Sequence, residues 1–132
     1  MVQQIFVNLP VKKLDRAIAF FLELGFVLDP RYTNANGACV VIAPSIHVML
    51  LTESFFRTFT PRRVSDATVS TEVIVCLSLD SRDAVDALVE RAIAAGGLTP
   101  IQPKDYGFMY QHGFQDLDGH LWELIHVEAP PG

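Results

Sequence analysis

The sequence predicts an α+β protein, one domain built from two β-α-β-β-β modules. Two internal repeats carry that expectation. Residues 8–21, NLPVKKLDRAIAFF, run from a strand into a helix and are echoed by residues 76–89, CLSLDSRDAVDALV. Later in each half, IHVMLLT (46–52) is echoed by GHLWELI (119–125). Repetition of a strand-helix-strand unit within 132 residues implies two modules packed together, and the cleft between them is the natural seat for a ligand. The repeat fails at one place that matters: Glu123 in the second half stands against Leu50 in the first.

The elements follow in order. Residues 4–10 read as a strand with Phe6 and Asn8 on one side and Ile5, Val7 and Leu9 on the other; Pro10 belongs near its end because it cannot donate to a ladder. From Lys13 to Leu24, the residues Leu14, Ala17, Ile18, Phe21 and Leu24 recur at helical spacing, and Gly25 closes that helix. Phe26 opens the next strand. The run 34–37, NANG, is a hairpin turn, since Asn and Gly tolerate the required backbone angles. Strands 38–42 and 46–51 complete module 1 (residues 3–52). Residues 53–70 form a linker whose Phe55, Phe56 and Phe59 are too apolar for an inert tether, so a short helix, a flap over the cleft or a dimer contact is expected there. Module 2 (residues 71–128) restarts with strand 72–79. Asp80 or Ser81 caps a helix with Ala84, Val85, Leu88 and Ala92 on its apolar face, and Gly96-Gly97 ends it. Strands 99–102, 108–114 and 120–127 follow, the last two joined by the turn 116–119. The tail 129–132 is expected to fray.

The bulk properties exclude several function classes. Half the residues are hydrophobic, which argues against disorder. The longest apolar runs are too short to span a bilayer, and the N-terminus lacks a basic stretch leading into an apolar signal region, so a cytoplasmic protein is expected. A net charge of -5 argues against a nucleic-acid partner. The nearest basic cluster, Arg57, Arg62 and Arg63, is short and sits in the linker. Cys39 and Cys76, each flanked by apolar residues, read as buried free thiols.

With these stretches in view, the chain resembles the vicinal oxygen chelate superfamily, which includes glyoxalase I, bleomycin-resistance proteins and extradiol dioxygenases. The resemblance rests on NLPVKKLDRAIAFF, on LGF at 24–26 and on DLDGHLWEL at 116–124, in that order and spacing. It is most similar to small bacterial members called predicted lactoylglutathione lyases. The resemblance implies an open, mostly antiparallel cup with helices outside and ligand inside, usually in a homodimer. Family enzymes hold one divalent metal on ligands from the first and last strands of both modules. The family histidine of the first strand corresponds to Phe6, and Ile74 takes that place in the second module, at the offset relating Leu9 to Leu77. The last strand of module 2 supplies Glu123. Aligning His47 with His120 makes Leu50 its partner in module 1. Three of these four positions are hydrocarbon and supply no oxygen or nitrogen donor. A slip in alignment would bring in Asn8, Met49 or Glu72, but strand alternation turns one-residue shifts away from the cup. No cofactor is therefore expected, and a metal would need ligands outside the family positions.

Glu123 is the candidate catalytic or cation-holding residue, or else a vestige satisfied by neighbours. Phe108, Tyr110, His112 and Phe114 alternate along one strand and share a face. We place that face on the cup, since Tyr110 and His112 are awkward core residues; with Phe6, Asn8, Leu50 and Ile74 they make up the ligand-binding set. His47, His120 and His126 stand three residues from ligand positions and are expected to face away, while Trp122 packs under the outer helix.

The expected function is a binding protein for a small hydrophobic or aromatic molecule, without the family metal. One alternative is a glyoxalase-type lyase or isomerase that uses Glu123 beside a metal held by unexpected ligands. Another is an inert dimeric interaction module.

Overall fold

The computed structural model describes residues 1–128, so the expected fraying of 129–132 lies outside the described residues. The chain divides into two compact units, Met1–Asp66 and Ala67–Gly132. Each carries an open four-stranded sheet in which two antiparallel pairs and one parallel pair are joined.

In the first unit the strands are β1 (Ile5–Val11), β2 (Val27–Asn34), β3 (Gly37–Ala43) and β4 (Ile46–Thr52), in the spatial order β1-β4-β3-β2. Helix α1 (Leu14–Glu23) connects β1 to β2 and buries Ala17, Phe20 and Phe21. It packs on a face to which β1 contributes Leu9 and Val11, and β4 Val48 and Leu50, all at most 2% exposed. Gly25, at φ 100°, ends the helix, and the Phe26 N–H reaches back to the Phe21 carbonyl. Pro30 is tolerated because β2 is an edge strand; its ladder to β3 breaks between Asp29 and Asn34. The chain then forms one turn of helix, α2 (Glu53–Phe56), capped by the Thr52 hydroxyl, and a 3-10 turn over Arg57–Phe59. Helix α2 packs on β1 and β4, and Phe55 meets Phe59 edge-on at 5.1 Å. The linker as far as Asp66 is thus built into the first unit.

In the second unit β5 (Ile74–Ser78), β6 (Lys104–Asp105), β7 (Met109–Gln115) and β8 (Leu121–Val127) take the order β5-β8-β7-β6. Helix α3 (Arg82–Ala94) starts at Ser81, whose hydroxyl accepts from the Ala84 N–H at 3.0 Å. The strand expected over 99–102 is replaced by a single bridge between Leu98 and Gln115, with pairing resumed only at β6. Pro100 and Pro103 flank that segment, and neither has an N–H to give a ladder.

The turn before β8 is organised by one buried carboxylate. Asp116 accepts the backbone N–H groups of Asp118 and His120 and the indole N–H of Trp122, each at 3.0 Å. Burial pushes this carboxyl above the ordinary range; His120 and the indole hydrogen bond oppose that shift. Gly119, at φ 92°, completes the turn, and any Cβ there would lie 2.7 Å from the Ala67 backbone. Among the described residues no helix is long and apolar enough to cross a membrane.

Candidate functional site

Each sheet has one face covered by its helix and one open face, and strand register decides which residues belong to which. In the first sheet, Phe6 pairs with His47, Asn8 with Met49 and Leu9 with Leu50. The rings of Phe6 and His47 stack with centroids 4.5 Å apart and planes 12° from parallel, so both lie on the open face. Alternation puts Asn8 and Met49 there with them and Leu50, fully buried, on the helix side. Tyr32 approaches Phe6 edge-on at 6.3 Å.

The second sheet repeats this register. Ile74 pairs with Leu121 and Cys76 with Glu123, which in turn lies opposite Gly113. Since Phe6 corresponds to Ile74 and Asn8 to Cys76, the counterpart of Glu123 is Met49, not Leu50. Leu50 is the counterpart of Leu124, which is likewise fully buried. Matching the two histidines shifted the expected alignment by one residue, and one residue is enough to exchange the faces of a strand. The same correction moves His47, expected to face away, onto the open face.

The aromatic strand is also turned over. The Tyr110 hydroxyl donates to Asp86 of α3 at 2.6 Å, and Phe114, 2% exposed, stacks on buried Trp122 at 5.9 Å. Tyr110, His112 and Phe114 therefore share the helix-covered face. Asp86 supplies the partner that makes Tyr110 acceptable there, and this hydrogen bond, followed by burial, pushes the phenol up to about 12. The buried Nδ1 of His112 has no hydrogen-bond partner among the described residues. Phe108 lies just outside β7 and is 61% exposed. Arg82 binds the outer edge together, donating to Asp105 and Glu128 and standing 5.4 Å over the Tyr110 ring. Two other histidines are structural: His126 Nδ1 lies 2.9 Å from the Leu79 carbonyl, and His120 is buried in the Asp116 turn.

What remains around Glu123 is mostly apolar. A depression of about 50 Å³ is bordered by Ile74, Ile101, Gln111, Leu121 and Glu123, with Gly113 leaving the carboxylate's inner flank bare. Cys76, expected to be buried, is exposed, and its thiol donates to Glu123 Oε1 at 3.7 Å. Although the residue is exposed, partial desolvation around the sulfur pushes that thiol up and the Glu123 charge adds to the shift, which favours the protonated donor. Cys39 is the buried thiol; both cysteines are free. On the first open face, Asp29 pairs with Cys39 in register, but Arg31 holds its carboxylate at 2.9 Å and keeps its pKa below the usual range. A volume of 50 Å³ is far below the several hundred that encloses a small molecule, so this depression is an anchor point, not an enclosure.

The residues at the four family ligand positions are thus Phe6, Met49, Ile74 and Glu123. Phenyl and sec-butyl groups have no donor atom, and a thioether suits soft ions rather than a hard or borderline divalent metal. One carboxylate cannot make up the three or more protein ligands of a catalytic centre. Among the described residues no group of three or more His, Cys, Asp or Glu side chains gathers where a metal would be held. The donor set does not fit the family metal.

Of these features, the Phe6–His47 stack and the Cys76–Glu123 contact are not anticipated by the sequence. The first was detectable, since His47 lies two residues from Met49 and shares its face; the second joins residues distant in the chain and needs the β5–β8 register.

A family model described as the Glyoxalase/Bleomycin resistance protein/Dioxygenase superfamily matches residues 3–124. A hypothetical protein from S. aureus is similar in structure, with 26% identity, a TM-score of 0.80, and coverage of 96% of this chain and 95% of its own. The fosfomycin resistance protein FosX from Listeria monocytogenes shares the fold at 18% identity and a TM-score of 0.69, covering 100% and 96%. TioX from Micromonospora matches at 25% identity with a TM-score of 0.63, covering 98% and 99%. No curated protein sequence matches this chain.

Proposed function

This chain belongs to the glyoxalase/bleomycin resistance protein/dioxygenase superfamily, and within it we propose a binding protein for a small hydrophobic or aromatic molecule that works without the family metal. One observation carries the reading. Of the four positions where family enzymes place metal ligands, this chain has Phe6, Met49, Ile74 and Glu123. Three of these have turned from donor to apolar contact, which suits recognition of apolar surface rather than Lewis-acid chemistry.

The open faces supply complementary chemistry. Phe6, exposed and backed by the buried His47 ring, offers with Tyr32 at its edge an aromatic surface on which a flat ligand can lie. Ile74 and Leu121 offer aliphatic surface beside the Glu123 carboxylate, which suits a cationic group on an otherwise apolar molecule.

The test has two arms. Purified protein is incubated with nickel, zinc, manganese and ferrous iron, desalted and analysed for metal; the expected content is well below one ion per chain. The same protein is screened against neutral and cationic aromatic compounds by backbone amide shifts. Neutral aromatic binders should perturb residues around Phe6 and cationic ones residues around Ile74 and Glu123, and Glu123→Gln should weaken cationic binders selectively. Stoichiometric metal that disappears in Glu123→Ala would overturn the proposal.

A further inference from the structure

The first unit contains a concavity of about 300 Å³. Lys12 reaches it from the end of β1, Glu53 and Arg57 from α2 and the 3-10 turn, and Arg62, Arg63 and Asp66 from the loop that follows. Four cations thus meet two carboxylates, an excess of positive charge on a chain whose net charge is -5. Local bonds hold the frame. The Thr58 hydroxyl donates to the Phe55 carbonyl at 2.7 Å, and Thr60 accepts the Arg62 N–H at 3.1 Å. Within the cleft, Arg57 and Glu53 approach only to 3.6 Å, with side chains 60% and 37% exposed, so the Arg57 guanidinium is loosely engaged.

We propose that this cleft is a binding site for a small oxyanion of the phosphate class. Neighbouring arginines present planar N–H forks that match phosphate oxygens, and the cleft walls lower the screening such contacts suffer on a flat surface. The volume admits a phosphate or a small phosphate ester, and four cations on an acidic chain do not provide the extended basic face that a nucleic acid requires. None of the residues lining the cleft is among those named for the proposed ligand contacts on the open faces.

Titration of the full chain with inorganic phosphate and with glycerol phosphate, followed by backbone amide shifts and calorimetry at low ionic strength, tests it. Saturable one-site binding is expected, with shifts centred on Lys12 and residues 53–66. Because charge-assisted forks dominate such contacts, the double variant R62A/R63A should weaken binding by at least about tenfold. Glu53→Gln should tighten it by roughly twofold to fivefold, by removing a competing carboxylate from Arg57. Arg16→Ala, outside the cleft, is the control. Tighter binding of the ester identifies an organic phosphate as the ligand, and equal binding identifies the free anion; either upholds the site. Non-saturating shifts, or binding unchanged in R62A/R63A with an intact fold, would overturn it, as would weaker binding in Glu53→Gln.

Discussion

Met49, not Leu50, is the first-unit counterpart of Glu123: each lies next to its own parallel partner, Asn8 or Cys76, on the open face of its sheet. The consequence is energetic as well as positional. Leu50 is fully buried under α1, whereas Met49 is only partly covered. Leu50→Ala should therefore cost about 3 kcal/mol of unfolding free energy, the usual penalty for a core leucine, and Met49→Ala should cost clearly less. Urea denaturation of the two variants decides this; equal losses would refute the register.

The contact between Cys76 and Glu123 makes a chemical prediction. The Cys76 thiol is raised by burial and further by the carboxylate charge, so Glu123→Gln should lower its pKa. In a Cys39→Ala background, alkylation at neutral pH should then be faster once Glu123→Gln is added, with the pH–rate profile displaced to lower pH. An unchanged profile would mean that the carboxylate does not act on the thiol.

Tyr110 should ionise well above the ordinary phenol range. Its hydrogen bond to Asp86, reinforced by burial, puts it at about 12, above the ordinary phenol value. Because the folded pKa is raised, the stabilisation is fully present below the unfolded value near 10 and is lost as pH rises through the folded one. The stability difference between the native chain and Tyr110→Phe should hold steady up to about pH 9 and shrink above 10. Ultraviolet titration of the native chain against Tyr110→Phe should show one phenol ionising at about pH 12 that the variant lacks.

The Asp116 turn is the most sensitive polar point of the second unit. Asp116→Ala removes three acceptor contacts, including the carboxylate oxygen that the buried Trp122 indole N–H meets, a loss on the order of 3 kcal/mol. Asp116→Asn can keep the backbone bonds but turns its amide toward the indole donor, and should fall between the two. Equal stability of all three proteins would show that the indole is satisfied in another way.

Much of this was legible in the chain. The repeat, the glycine that closes α1, the Ser81 cap and the 116–119 turn are local signals, set by backbone geometry within a few residues, and the elements they delimit appear where expected. Two of the misplaced residues share one cause. Side-chain alternation in a strand has a period of two, so a single-residue error in alignment moved Leu50 and His47 to the wrong faces. Tyr110 and His112 read as cup residues because the sequence around them offers their polar atoms no partner in a core. Nothing local to β7 discloses that Asp86, on another element, would accept the Tyr110 hydroxyl.

The sequence by itself determined the modular fold, because that depends on residue type and spacing along the chain. Only the tertiary structure decided which face each strand residue occupies, which thiol meets Glu123, and where Lys12 joins the arginines of the linker. Those relations depend on register between strands and on chain segments far apart in sequence, where hydrogen-bond pairing and helix packing, not local preference, select the neighbour.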